Sequence, residues 1–271
     1  AVTLDQQLYP ALLPIIDEYA HRNNLKIAVQ EGTCGIAAGN LKDKNADIGG
    51  FCCPAGETDR LPGLVYHTFA IAPVAVLVHP SNPIETIDEE TLRNVYIGKF
   101  AAWRQVVPNY RGGSKSPLIR AVGRLHCKTR PGHGGRSILD KEDHFSHRMS
   151  EVSTIPDMIS AVADNRDAIG YETLWMTKNF SKQGKVKTVK INGVDPRDSD
   201  RVIHGDYPFF RVFNISTWSS PSTRSDVADA LLAHLMANFD RVDPDYGFIP
   251  YTRLKKAGWR FAGDELIGKP N

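Results

Sequence analysis

The chain has 271 residues, 41% of them hydrophobic and 24% charged, a balance that supports a sizeable buried core in one or two domains. With 33 basic against 31 acidic residues the net charge is +2, which argues against nucleic acid or a charged membrane surface as a general partner and requires any basic site to be local. No run of about 18 apolar residues occurs, so no membrane-spanning helix is expected.

The sequence opens at Ala1 without Met or a signal-peptide pattern, as expected of a mature, processed product or of a trimmed chain. Strand and helix patterns then alternate without repeats or low-complexity tracts, which predicts α/β architecture with mainly parallel sheet. The first helix is expected over residues 10–21, with Pro10 and Pro14 near its start and Leu12, Leu13, Ile16, Tyr19 and Ala20 facing inward. Residues 26–30 alternate like a short strand, Glu31-Gly32-Thr33-Cys34-Gly35 reads as a strand-to-helix turn, and residues 36–41 continue as a small-residue helix. Residues 47–54 read as a strand running into a loop that carries Cys52 and Cys53. The nearly continuous apolar run 73–78 is the pattern of a strand covered on both faces. Thr86 with Glu89 and Thr154 with Asp157 both have capping-box spacing, predicting helix starts at each. Strands are expected at 168–171, 186–191 and 209–216, and a helix over 222–239 with Val227, Leu231, Leu235, Met236 and Phe239 inward.

One stretch concentrates chemistry. Residues 124–135 (RLHCKTRPGHGG) follow the apolar run 118–122 and bring three cationic side chains, two histidines, a thiol and glycines to a strand-to-helix turn. Unpaired N–H groups at a helix entrance together with Arg and Lys make an anion cradle. A solvated basic loop accounts for the same residues and stays open. The neighbouring 132–137 segment lacks the Lys-Ser/Thr ending of a nucleotide P-loop, so nucleotide hydrolysis is not indicated.

The four cysteines, Cys34, Cys52, Cys53 and Cys127, contain no CxxC pair. Two disulfides in an oxidising compartment are expected, or one with spare thiols. The alternative is a copper, zinc or other thiophilic site drawn from Cys34, Cys52, Cys53, His126, Cys127 and His133. A thiolate enzyme built on Cys127 beside His126 and Arg130 lacks an orienting third group, so no catalytic residue and no cofactor is expected.

Segments spread over nearly the whole chain carry a resemblance: Ala46-Asp47-Ile48-Gly49, Val78-His79-Pro80-Ser81-Asn82-Pro83, residues 95–103 (VYIGKFAAW), Asp167-Ala168-Ile169-Gly170-Tyr171, Ile191-Asn192-Gly193-Val194, Gly205-Asp206-Tyr207-Pro208 and Tyr246-Gly247-Phe248-Ile249-Pro250. In this order and spacing the sequence resembles the phosphate-type substrate-binding proteins of ABC importers, a branch of the type II periplasmic binding protein fold. The resemblance implies two α/β lobes, each a mixed sheet flanked by helices, joined by two crossing strands. Lobe 1 is expected from residues 1–76 plus 210–271 and lobe 2 from 77–209. It implies a small ligand, an oxyanion such as phosphate, held in the interlobe cleft, an inner-membrane permease as partner, and a periplasmic or otherwise extracytoplasmic location.

Carried over by position, the first-lobe loop falls on Thr33, Cys34 and Gly35, and the second-lobe loop on Arg124 followed by Cys127, Lys128, Thr129 and Arg130, with His133 nearby. The N-terminal loop falls on Gln6 and Gln7. Arg124 is expected to grip the anion through two parallel hydrogen bonds. The family's acidic residue after the Asp-Ile-Gly strand is replaced by Cys52 or Cys53, which weakens the case for phosphate in particular.

Overall fold

The structure, a computed structural model, describes residues 1–53, 60–110, 117–124, 138–139 and 144–270. In chain order its elements are β1 (Val2–Asp5), α1 (Leu8–Arg22), β2 (Val29–Gly32), α2 (Cys34–Lys42), β3 (Ile48–Phe51), β4 (Leu64–Val78), β5 (Thr86–Ile87) and α3 (Glu89–Tyr96). There follow α4 (Trp103–Val106), β6 (Arg120–Gly123), β7 (Ser150–Glu151), α5 (Ile155–Ala163), β8 (Ala168–Thr173), α6 (Leu174–Asn179), β9 (Lys187–Ile191) and α7 (Ser199–Ile203). The chain ends with β10 (Phe210–Trp218), α8 (Asp226–Ala237), β11 (Ile249–Pro250), α9 (Tyr251–Lys256), β12 (Arg260–Ala262) and β13 (Glu265–Gly268). No described helix is long and apolar enough to cross a membrane.

The chain divides into two compact units, Ala1–Ala72 with Arg211–Asn271, and Pro73–Phe210. It passes from one to the other within β4 and returns at the start of β10.

In the first unit β1 lies between β2 and β3 and is parallel to both, with Val2 paired to Val29 and to Ile48. β10 joins antiparallel to β3, so the sheet is mixed. Its core gathers Leu4, Leu8, Leu12 and Ile16 from β1 and α1 with Phe69, Phe213, Ile215, Leu231 and Leu235. Burial of each such side chain contributes about 1.5–3 kcal/mol. α2 lies close over β3: a Cβ on Gly49 would come 2.4 Å from Leu41 Cδ1. In α8 the expected inward stripe is corrected at one position, because Val227 is 49% exposed while Ala228, Leu231, Leu232 and Leu235 are buried.

In the second unit the far half of β4 is antiparallel to both β8 and β9, with Val76 paired to Tyr171 and to Val189. β6 is parallel to β8 and β7, and β5 to β9. Every residue of 73–78 is buried, on both faces of the strand, which is why the segment reads as a continuous apolar run. Tyr96 of α3 is buried and donates its hydroxyl to the Val122 carbonyl at 3.1 Å.

The two capping-box spacings resolve differently. Thr154 caps α5 as expected, its Oγ1 accepting the Asp157 N–H at 3.2 Å and Asp157 Oδ2 accepting the Thr154 N–H at 3.2 Å. Thr86 caps nothing: it is in β5, paired with Lys190, and α3 is capped by Asp88, which accepts the Thr91 N–H at 2.7 Å. Strand pairing with β9 holds Thr86–Ile87 extended and moves the helix start two residues on.

Candidate functional site

Sequence reversal in the first unit's sheet occurs at β1, with β2 on one side and β3 on the other. In open α/β sheets the carboxyl ends of strands at such a point are where ligands are held. Here those ends carry Asp5-Gln6-Gln7, Thr33-Cys34-Gly35 and Cys52-Cys53.

Thr33 is exposed and caps α2, its Oγ1 accepting the Ile36 N–H at 3.3 Å, which leaves the hydroxyl proton for donation outward. The N–H groups of Cys34 and Gly35, in the first turn of α2, have no hydrogen-bond partner among the described residues. The three together form a donor edge at a positively polarised helix entrance.

Gln7 departs from its expected role. Its side chain is wholly buried and Nε2 donates to the Tyr246 carbonyl at 2.9 Å, so the amide ties the β1–α1 turn to the Tyr246 segment. Gln6 is half-buried beside it.

No disulfide joins Cys34, Cys52 and Cys53 to one another, so an expected bridge among these three is not formed, while Cys127 lies outside the described residues. Cys34 Sγ stands 3.3 Å from Cys52 Sγ and 3.8 Å from Cys53 Sγ, well beyond the roughly 2.05 Å of a disulfide. The Cys52 thiol is pushed well above its ordinary value by its contact with Cys34 and by burial. For Cys34 the contact with Cys52 works downward, but contact with Cys53, burial and the nearby Asp5 charge outweigh it, and its thiol is pushed up too.

Asp5 is the residue that sequence reasoning missed. It ends β1, is 4% exposed and accepts the Leu8 N–H at 2.9 Å. Burial raises its pKa from 3.8 to about 6, against the Leu8 amide, the Arg211 charge, the Gln7 amide and the Cys52 thiol, all of which act downward. A buried carboxyl thus sits beside Cys52 even though the acidic position after β3 has been lost. The available signal was the β-prone Val2-Thr3-Leu4 followed by an Asp three residues before the first apolar residue of a helix.

In the second unit Arg124 follows β6. Its backbone N–H donates to the Tyr171 hydroxyl at 3.0 Å, and Nη1 donates to Glu172 Oε2 at 3.2 Å. Glu172, at the end of β8, is 1% exposed, and Oε1 accepts the Thr173 N–H at 2.8 Å. Arg124 is therefore oriented by a buried carboxylate that the sequence reading did not include. Its Nε and Nη2 make no hydrogen bond among the described residues, leaving donors on the guanidinium. His126, Cys127, Lys128, Thr129, Arg130 and His133 lie outside the described residues.

A sequence-family profile described as a PBP superfamily domain matches residues 1–238. The chain belongs to the PBP superfamily. Among relatives of this PBP-superfamily chain, the phosphate-binding protein PstS of Bacillus subtilis (strain 168) is 23% identical over 253 residues, 92% of this chain and 79% of the relative. An ABC-type phosphate transport receptor from Vibrio cholerae has a similar structure, with TM-score 0.69 and 20% identity over 92% of this chain and 98% of the receptor. A provisionally assigned phosphate ABC transporter substrate-binding protein from Clostridium perfringens, solved with bound phosphate, gives TM-score 0.74 and 15% identity over the same shares. These likenesses establish the α/β fold of the type II periplasmic binding proteins, mixed sheets flanked by helices. In this PBP-superfamily chain the carried-over positions Thr33, Cys34, Gly35 and Cys52 fall on neighbouring strand ends of the first unit, and Arg124 on the second unit.

Proposed function

We propose that the chain is an extracytoplasmic solute-binding protein that captures a small oxyanion, phosphate being the first candidate, and delivers it to an ABC permease without chemical conversion. The candidate donors to the anion are Thr33 and the Cys34 and Gly35 amides on the first unit and Arg124 on the second. The observation that carries this reading is Arg124, oriented by a buried Glu172 with Nε and Nη2 unengaged among the described residues. A planar guanidinium presented in this way suits an oxyanion, with charge-assisted hydrogen bonds. The relatives point the same way, since the Bacillus subtilis protein is a phosphate-binding protein and the Clostridium perfringens structure holds phosphate.

Isothermal titration with phosphate, sulfate, arsenate and molybdate tests the reading. The expected result is one site for at least one oxyanion, weakened by about 10- to 100-fold in Arg124→Ala, the equivalent of one or two charged hydrogen bonds. Folding of the variant is checked by circular dichroism. No heat with any of the four anions removes the proposal.

A further inference from the structure

We propose that Cys34, Cys52 and Cys53 form a three-sulfur site for a single thiophilic metal ion of the copper(I) type. The site adjoins the proposed anion-binding edge and shares Cys34 with it, the anion meeting the backbone amide and the metal the side-chain sulfur. The three Sγ atoms all lie within 4.8 Å of one another, with Cys34 at 3.3 Å from Cys52 and 3.8 Å from Cys53. An ion bonded at about 2.3 Å to each of three sulfurs sets them about 3.8–4.0 Å apart, whether pyramidal on a tetrahedron or planar. The two separations from Cys34 lie at or somewhat below that size, and the third is within 4.8 Å.

The donor chemistry selects the ion. The three clustered ligand atoms are all sulfur, with the buried Asp5 carboxyl beside Cys52, and a set of soft thiolates favours Cu(I), whereas structural zinc sites take four ligands. Cys34 and Cys53 are 5% and 7% exposed, a dry setting that disfavours hard, strongly hydrated cations. Binding replaces thiol protons by the metal: three S–H bonds break, three S–Cu bonds form, and the protons leave to solvent. Because each S–Cu bond replaces a thiol proton, uptake falls as the pH is lowered. The Cys52 N–H, 3.4 Å from Cys34 Sγ, remains to support the thiolate.

The test uses the full chain, reduced and kept anaerobic, titrated with Cu(I) in competition with bathocuproine disulfonate and, separately, with Zn(II). The expected result is one Cu(I) per chain with sulfur-to-copper charge-transfer absorption, and affinity lowered at least about 100-fold in Cys34→Ser and in Cys53→Ser, the upper end of what even an outer-shell change costs at a metal site. Copper is also expected to raise the melting temperature of the wild type and not of Cys34→Ser. If Cys34→Ser does not fold, Cys53→Ser and Cys52→Ser carry the comparison. Failure to retain copper, retention unaffected by all three substitutions, or preference for zinc each overturns the assignment.

Discussion

Glu172 Oε2 accepts from Arg124 Nη1 at 3.2 Å while Oε1 accepts the Thr173 amide at 2.8 Å, so a carboxylate that is 1% exposed is anchored on both oxygens. The pair couples the end of β6 to the end of β8 and fixes the guanidinium plane. Arg124 is thereby a structural member of its own unit as well as the candidate anion donor.

Arg124→Ala removes a cation paired with this buried carboxylate. The expected loss is about 2–3 kcal/mol in urea unfolding, below the cost of breaking a wholly buried pair because Arg124 remains partly exposed. Adding Glu172→Gln, which removes the buried charge, is expected to restore more than half of it. A double variant no more stable than Arg124→Ala would show that the carboxylate is not held by this pairing.

The capping box of α5 gives a second expectation. Thr154→Ala removes the acceptor for the Asp157 N–H and is expected to cost about 1 kcal/mol. Thr86→Ala, at the same sequence spacing but in β5, is expected to cost less than about 0.5 kcal/mol. Denaturant midpoints of the two variants at constant slope make the comparison.

Those two threonines also show where sequence reasoning stops. Both present the same local signal, and only the pairing of Thr86 with Lys190, more than a hundred residues away, distinguishes them. Residues 73–78 were legible because both faces of β4 are buried there and no position is left for a polar side chain. The beginning of β4 was not, since Leu64-Val65-Tyr66-His67 alternates in exposure and ends in a His paired with Asp264. At the site, Thr33, Cys34 and Cys52 were legible from loop position. The roles of Asp5 and Glu172 were hidden because each is defined by a partner nearly fifty residues distant, Cys52 and Arg124. That Cys34, Cys52 and Cys53 are not bridged to one another depends on sulfur separations that no spacing reveals.

Gly170 gives a packing prediction. A Cβ placed there meets Val162 Cγ2 at 2.6 Å and Met158 Sδ at 2.7 Å, both on α5. Gly170→Ala is expected to destabilise by about 1–3 kcal/mol through overpacking. Combined with Val162→Ala the losses are expected to be less than additive by about 1 kcal/mol, because the second change opens the space that the first fills. Strict additivity would mean that β8 and α5 do not approach this closely.

Asp5 predicts a pH dependence whose sign follows from burial. Its pKa lies at about 6 in the folded chain against 3.8 ordinarily, so between roughly pH 4 and 6 the folded state holds a proton that the unfolded state has released. The unfolded state then binds fewer protons, and stability falls as pH rises through that window, levelling off above the folded value. The full difference is about 3 kcal/mol, from 2.2 pKa units at about 1.36 kcal/mol each. Asp5→Asn keeps an acceptor for the Leu8 amide but cannot ionise. Relative to wild type its stability is therefore expected to improve steadily from pH 4 to pH 7 by up to that amount, measured as urea midpoints at fixed ionic strength. A stability difference that is flat across this range would place the Asp5 carboxyl in a setting where ionisation costs nothing, and the raised value would be wrong.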